Sequence, residues 1–221
     1  MGKNRKMSED ISIFRNWVSV EDYEFKILVL TSFLADSNLA YRGNLTTICN
    51  WLGIGTNQKN RNKIKESIKK LEEKEYIFCN KEGQTYHISI TNKGLKDKRV
   101  VKIKKQWLEV IKNYGTTENK VNNSWASMLK ALIVIFDKIE QDKQDFDIVS
   151  ATIITMKELG DEIQKSEQTA GKIINKLVDC DFKDGLTIKK EIIKQKYKDN
   201  NGVEKYKTFG TQIQATYEWE K

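Results

Sequence analysis

The chain contains no proline. Its turns therefore fall to glycine, asparagine and aspartate. Histidine occurs once, as His87, so any Ser/His/Asp or Cys/His catalytic set would have to be built on that residue. His87 alternates with Tyr86 and Ile88 in a strand-like run with no nucleophile turn nearby, and a structural or surface role is expected. Cysteine occurs three times, as Cys49, Cys79 and Cys180. The odd number and wide spacing argue against a disulfide framework and a zinc site, and fit a reducing cytosol. No apolar run approaches the roughly 20 residues of a membrane span. The best candidate, Leu129–Phe136, is short and already holds Lys130. The first residues lack the apolar segment of a secretory signal. Gly171-Lys172 lacks the upstream glycine and following Ser/Thr of a phosphate-binding loop. Glu72, Glu73 and Glu75 read as the solvated end of a helix rather than a metal cluster. The expectation is a cytoplasmic protein that is not an enzyme and has no catalytic residues, metal, cofactor or membrane association.

Charge is what the chain has in excess. Its 221 residues carry 39 Lys/Arg against 31 Asp/Glu, a net +8. Residues 1–115 hold 22 Lys/Arg against 13 Asp/Glu, and residues 116–221 hold 17 against 18. The surplus belongs to the first half, where it favours a polyanionic partner. Hydrophobic content is 38%, enough for two modest cores.

The most informative stretch is Thr56–Lys74. Ile64, Ile68 and Leu71 recur at spacings of four and three, which places them on one face of a helix. Lys59, Arg61, Lys63, Lys65, Lys69 and Lys70 occupy the remainder, with Asn57, Gln58, Asn60 and Asn62 among them. Lysine and arginine neutralise phosphates, and Asn, Gln and Arg read base edges. This is expected to be a recognition helix.

Around it, Val20–Ala35 reads as a mostly buried helix, with Glu21 and Asp22 in its first turn. Ile11–Trp17 forms a short helix or strand, and Leu39–Tyr41 a short strand. Gly43-Asn44 turns and caps a second helix, Leu45–Leu52. Tyr76–Cys79 and Tyr86–Ile90 form a β-hairpin with its tip at Asn80–Gln84. Asn92–Lys105 is a charged linker or a strand at Val100–Ile103. A short amphipathic helix follows, carrying Trp107, Val110 and Ile111. Thr116–Ser124 is polar and asparagine-rich, and is taken as a linker. The same order then recurs: a helix over Trp125–Ile139, a strand at Asp147–Ile153, a helix over Thr155–Ile163, and another from Ser166 or Glu167 to Val178. Two long strands, Leu186–Lys196 and Lys205–Trp219, flank a turn at Asp199–Gly202. The five tryptophans, Trp17, Trp51, Trp107, Trp125 and Trp219, are scattered and are expected in cores or interfaces.

This repeated order resembles the winged helix-turn-helix family. In the first half the likeness rests on Leu45, Ile48, Leu52-Gly53-Ile54, Ile64, Ile68, Leu71-Glu72-Glu73-Lys74 and Tyr76-Ile77. In the second it rests on Met156, Leu159-Gly160, Ile163, Ser166, Thr169, Ile173, Leu177 and Val178. Leu52 to Leu71 spans 19 residues where Ile163 to Leu177 spans 14, so either the first turn is long or its recognition helix starts late. The resemblance implies a helix-rich α+β fold of two winged helix-turn-helix domains in tandem. The first occupies 1–115 with a basic C-terminal extension, 116–124 is the linker, and the second, 125–221, carries a long β-hairpin wing.

Two such units in one chain are similar to the replication initiators of plasmids and related mobile elements. That resemblance implies sequence-specific binding of double-stranded DNA, on the nucleoid or a plasmid, with host replication proteins and a second copy of the chain as further partners. Helix three of each unit would enter the major groove, and the hairpin wing would touch backbone or minor groove. The candidate DNA-binding residues are Thr56, Asn57, Gln58, Lys59, Asn60, Arg61, Lys63, Lys65 and Lys81 in the first unit. In the second they are Lys165, Thr169, Lys172, Lys198 and Lys205. Two rivals stay open: a transcriptional regulator of the same fold, and a protein-interaction subunit of a segregation or replication complex.

Overall fold

A computed structural model describes residues 10–34, 40–95, 99–116, 122, 124–144, 149–183, 185–198 and 203–219; of 195, 198 and 207–210 it describes the backbone alone. The chain divides into two compact units, Met1–Leu129 and Lys130–Lys221. Most of the expected linker lies outside the described residues. Within it, Asn122 is buried and its Nδ2 donates to the Ile111 carbonyl at 2.7 Å.

In the first unit, β1 (Asp10–Phe14) leads into a 3-10 turn (Arg15–Ser19) and helix α1 (Asp22–Leu34). Helix α1 is buried on nearly every side from Glu24 to Thr31. Glu21 lies just outside it, where its carbonyl accepts from the Phe25 amide at 2.8 Å. Strand β2 (Ala40–Asn44) follows, so Gly43-Asn44 ends a strand rather than making a separate turn. Asn44 still caps α2 (Leu45–Leu52), its side chain accepting from the Thr47 amide at 2.9 Å. Gly53 closes α2 at φ 67°, a left-handed conformation that glycine takes without steric cost. Helix α3 (Gln58–Glu73) comes next, then β3 (Ile77–Glu82) and β4 (Thr85–Ile90). The hairpin strands run further than expected: Glu82 pairs with Thr85, so Asn80–Glu82 are strand residues and the tip is Gly83-Gln84. The sheet order is β2-β4-β3. Tyr41, Tyr86, Ile88 and Ile90 cover the core on its inner face.

Strand β5 (Val100–Lys104) resolves both open assignments by pairing antiparallel with β1, Ile11 opposite Ile103 and Ile13 opposite Val101. All four of those side chains are buried. Helix α4 (Lys105–Asn113) buries Trp107, Leu108 and Ile111, with Val110 only half-buried.

Helix α5 (Trp125–Asp142) contributes its first five residues to the first unit and the rest to the second. The second unit continues with β6 (Val149–Thr155), α6 (Met156–Glu162), α7 (Glu167–Val178), β7 (Leu186–Lys198) and β8 (Glu204–Glu218). A capping box starts α6, with Thr155 and Glu158 each holding the other's backbone amide. The sheet order is β6-β8-β7. Strand β6 pairs with β8 only over Gln212–Glu218, so the outer part of the β7–β8 hairpin is a two-stranded ribbon. The turn expected at Asp199–Gly202 lies outside the described residues. Each unit thus runs helix, strand, helix, helix, strand, strand, with the first strand at one sheet edge and the last in the middle.

The cores hold Trp17, Trp107 and Trp125 almost without exposure, while Trp51 and Trp219 are half-buried. The cores also bury charged side chains, Lys26 among them. Lys26 is 3% exposed, with Nζ 5.2 Å from the ring centroids of both Tyr23 and Trp125. Burial pulls its pKa down to about 8, against the opposing charge of Asp22. Below that pH both folded and unfolded chains carry the proton, and the folded state bears the full desolvation cost. Between about 8 and 10.5 the unfolded chain binds more protons, so stability rises with pH. A shift of this size is worth roughly 3 kcal/mol, and the two ring faces return part of it. Lys26→Met is therefore expected to stabilise the protein by about 1 kcal/mol at pH 7. Parallel denaturant titrations should show the gain fading as pH approaches 10.5.

Candidate nucleic-acid interface

Helices α3 and α7 bury the same stripe. Ile64, Ser67, Ile68 and Leu71 face inward on α3; Ala170, Ile173, Ile174 and Leu177 do so at identical spacing on α7. Helix α7 begins three residues before its first buried position, whereas α3 begins six before its own. The turn 53–57 is only one residue longer than 163–166. Helix α3 therefore does not start late; it carries an extra N-terminal turn beyond the part that packs.

That turn separates the expected contact residues into two groups. Asn57 is the N-cap, its side chain accepting from the Asn60 amide at 3.0 Å, and Thr56 precedes it on the surface. The Asn60 side chain returns to the Gly55 carbonyl at 2.8 Å. Arg61 is half-buried and donates to the Thr46 hydroxyl at 3.1 Å. These groups build the helix start. Gln58, Lys59, Asn62, Lys63 and Lys65 are exposed and point outward. Gln58 Nε2 donates to Asn62 Oδ1 at 2.8 Å, which joins two amides into one outward-facing pair. Lys63 lies 5.3 Å from the Tyr23 ring centroid, and Lys81 of β3 lies 5.8 Å from that of Tyr86. Toward its C-terminal end α3 turns to ion pairs: Lys69 with Glu73, Lys70 with Glu21 and Glu66, and Lys74 with Glu24. Its basic residues at that end are thus largely neutralised.

The remaining carboxylates there are also engaged. Glu72 accepts from the Cys79 amide at 3.1 Å, and Glu75 pairs with Lys93 at 2.6 Å. His87 is half-buried, with Nε2 3.4 Å from Glu82. Burial pushes the Cys79 and Cys180 thiols up to about 11, with Glu72 and Asp179 adding to it. Such thiols carry little thiolate at neutral pH.

On α7, Ser166 caps the helix and its hydroxyl lies 2.9 Å from that of Thr169. Lys172 is exposed and Lys165 half-buried. The lysine-weighted expectation passes over Gln168 and Asn175, which share the outward face with Lys172; the spacing of four and three from Gln168 is the signal that finds them. Asn175 Oδ1 accepts from Lys190 of β7 at 2.9 Å, tying helix to hairpin. On the ribbon, Lys205 is exposed and Lys196 pairs with Glu204 at 2.5 Å. The side chain of Lys198 lies outside what is described. Ile192, Tyr197 and Tyr206 stand exposed on the same ribbon.

The two units therefore present matching helices of unequal charge on a common plan of elements. No family model matches the chain, and no curated protein matches it. Among solved structures it is similar to the Pi initiator protein, crystallised in complex with iteron DNA. The TM-score is 0.51 at 10% identity, over 96% of this chain and 98% of that one. The likeness spans both units and is one of fold. Among the described residues no helix is long and apolar enough to cross a membrane.

Proposed function

We propose that this chain is a sequence-specific double-stranded DNA-binding protein of the replication-initiator kind, built from two winged helix-turn-helix units. Each unit has the helix, strand, helix, helix, hairpin order of that fold, with α3 and α7 as recognition helices and β3–β4 and β7–β8 as wings. The observation that carries the reading is the outward face of α3. Gln58, Lys59, Asn62 and Lys63 stand exposed ahead of the first buried position, Ile64, and Lys65 stands exposed just after it. Amides there supply base-edge recognition and lysines supply phosphate contacts. The full-length likeness to an initiator crystallised on iteron DNA favours this kind of duplex-binding protein over a general regulator. The action is binding and deformation of duplex without covalent chemistry, and it leaves host replication proteins as the next partners.

The test is selection from a pool of random duplexes with the purified chain, followed by footprinting of the enriched sequence. A repeated motif, protected over a length that two units can span, is the expected result. Absence of any enriched sequence would move the search to protein partners.

A further inference from the structure

Gly171 sits inside α7, where a glycine weakens a helix relative to alanine. The other helical glycine, Gly160 in α6, has an internal reason: a Cβ there would lie 2.8 Å from the Lys165 carbonyl. Gly171 has none. A Cβ built on it meets nothing within 4 Å, and its φ is an ordinary helical one. It lies on the outward side, beside Gln168, Lys172 and Asn175, with Lys190 held against Asn175. The gap in the side-chain surface is thus bordered by amides and lysines, and nothing in its own unit fills it.

We propose that Gly171 is the point of closest approach between α7 and a DNA strand, its missing side chain letting sugar-phosphate come against the helix backbone while Lys172 and Lys190 flank it. Glycine is the residue that permits such an approach, and phosphate contacts of this kind fix the depth and register of a helix on duplex. The proposal rests on the DNA-binding reading above and assigns the second unit a contact that its modest charge does not advertise.

The experiment compares Gly171→Ala and Gly171→Leu with the parent on the selected duplex, and measures thermal stability beside affinity. Both variants are expected to melt slightly higher, by about 2 °C for alanine. Alanine should weaken binding on the order of tenfold, with a larger loss for leucine and hydroxyl-radical protection abolished over the part of the site that the second unit covers. If the variants gain stability and bind like the parent, Gly171 is a surface glycine without a partner and this proposal falls alone. If the parent enriches and binds no duplex, the DNA-binding reading falls and this proposal with it.

Discussion

Replacing Lys59, Lys63 and Lys65 together by alanine is expected to lower affinity for the selected duplex about 100-fold near 0.15 M salt. Salt is the sharper probe. Each lysine–phosphate interaction removed should make the slope of log K against log salt shallower by about 0.9, so the triple variant should flatten it by about 2 to 3. All three side chains are exposed, and the fold should suffer little beyond the absence of the Lys63–Tyr23 ring interaction. Sequence preference should survive, because Gln58 and Asn62 are untouched. The complementary variant, Gln58→Ala with Asn62→Ala, should blur the preference and leave the salt slope as it was. An unchanged slope in the triple variant would mean that α3 is a solvated face.

Lys74→Ala is expected to destabilise the first unit by about 3 kcal/mol in chemical denaturation. Glu24 is fully buried inside α1, its Oε2 2.7 Å from Lys74 Nζ and its Oε1 without a partner among the described residues. Removing the ammonium strands a carboxylate in the core. The half-exposed position of Lys74 lets water relieve part of that penalty, which keeps the figure at the lower end for a buried pair. Glu24→Leu combined with Lys74→Met should return most of the loss, since neither charge then remains to be desolvated. If Lys74→Ala costs nothing measurable, water already serves Glu24 and the pair does not anchor α3 to α1.

The element order and the inward stripes of both recognition-type helices were legible because each is a local period: Ile64, Ile68 and Leu71 announce a face whatever the rest of the chain does. The cap at Asn44 was equally local. What sequence could not sort was the use of the amides. Asn57 and Asn60 look like base readers beside Gln58 and Asn62, yet they close the helix start, and only the phase set by beginning at Gln58 distinguishes them. Arg61 likewise turns to Thr46 because it sits nearer the buried stripe than Lys59. The pairing of β1 with β5 joins residues some ninety positions apart. Five alternating residues carry no mark of their distant partner.

The additional turn at the front of α3 separates two demands that usually compete within one helix. Ile64 to Leu71 must satisfy the fold, whereas Gln58, Lys59 and Asn62 answer to nothing inside the unit except each other. Residues of the second kind can be exchanged without renegotiating the core, so a library confined to those three positions should yield mostly folded proteins with altered target preference. If the chain binds DNA as proposed, the protruding turn makes it retargetable, with its foldability insulated from changes in target.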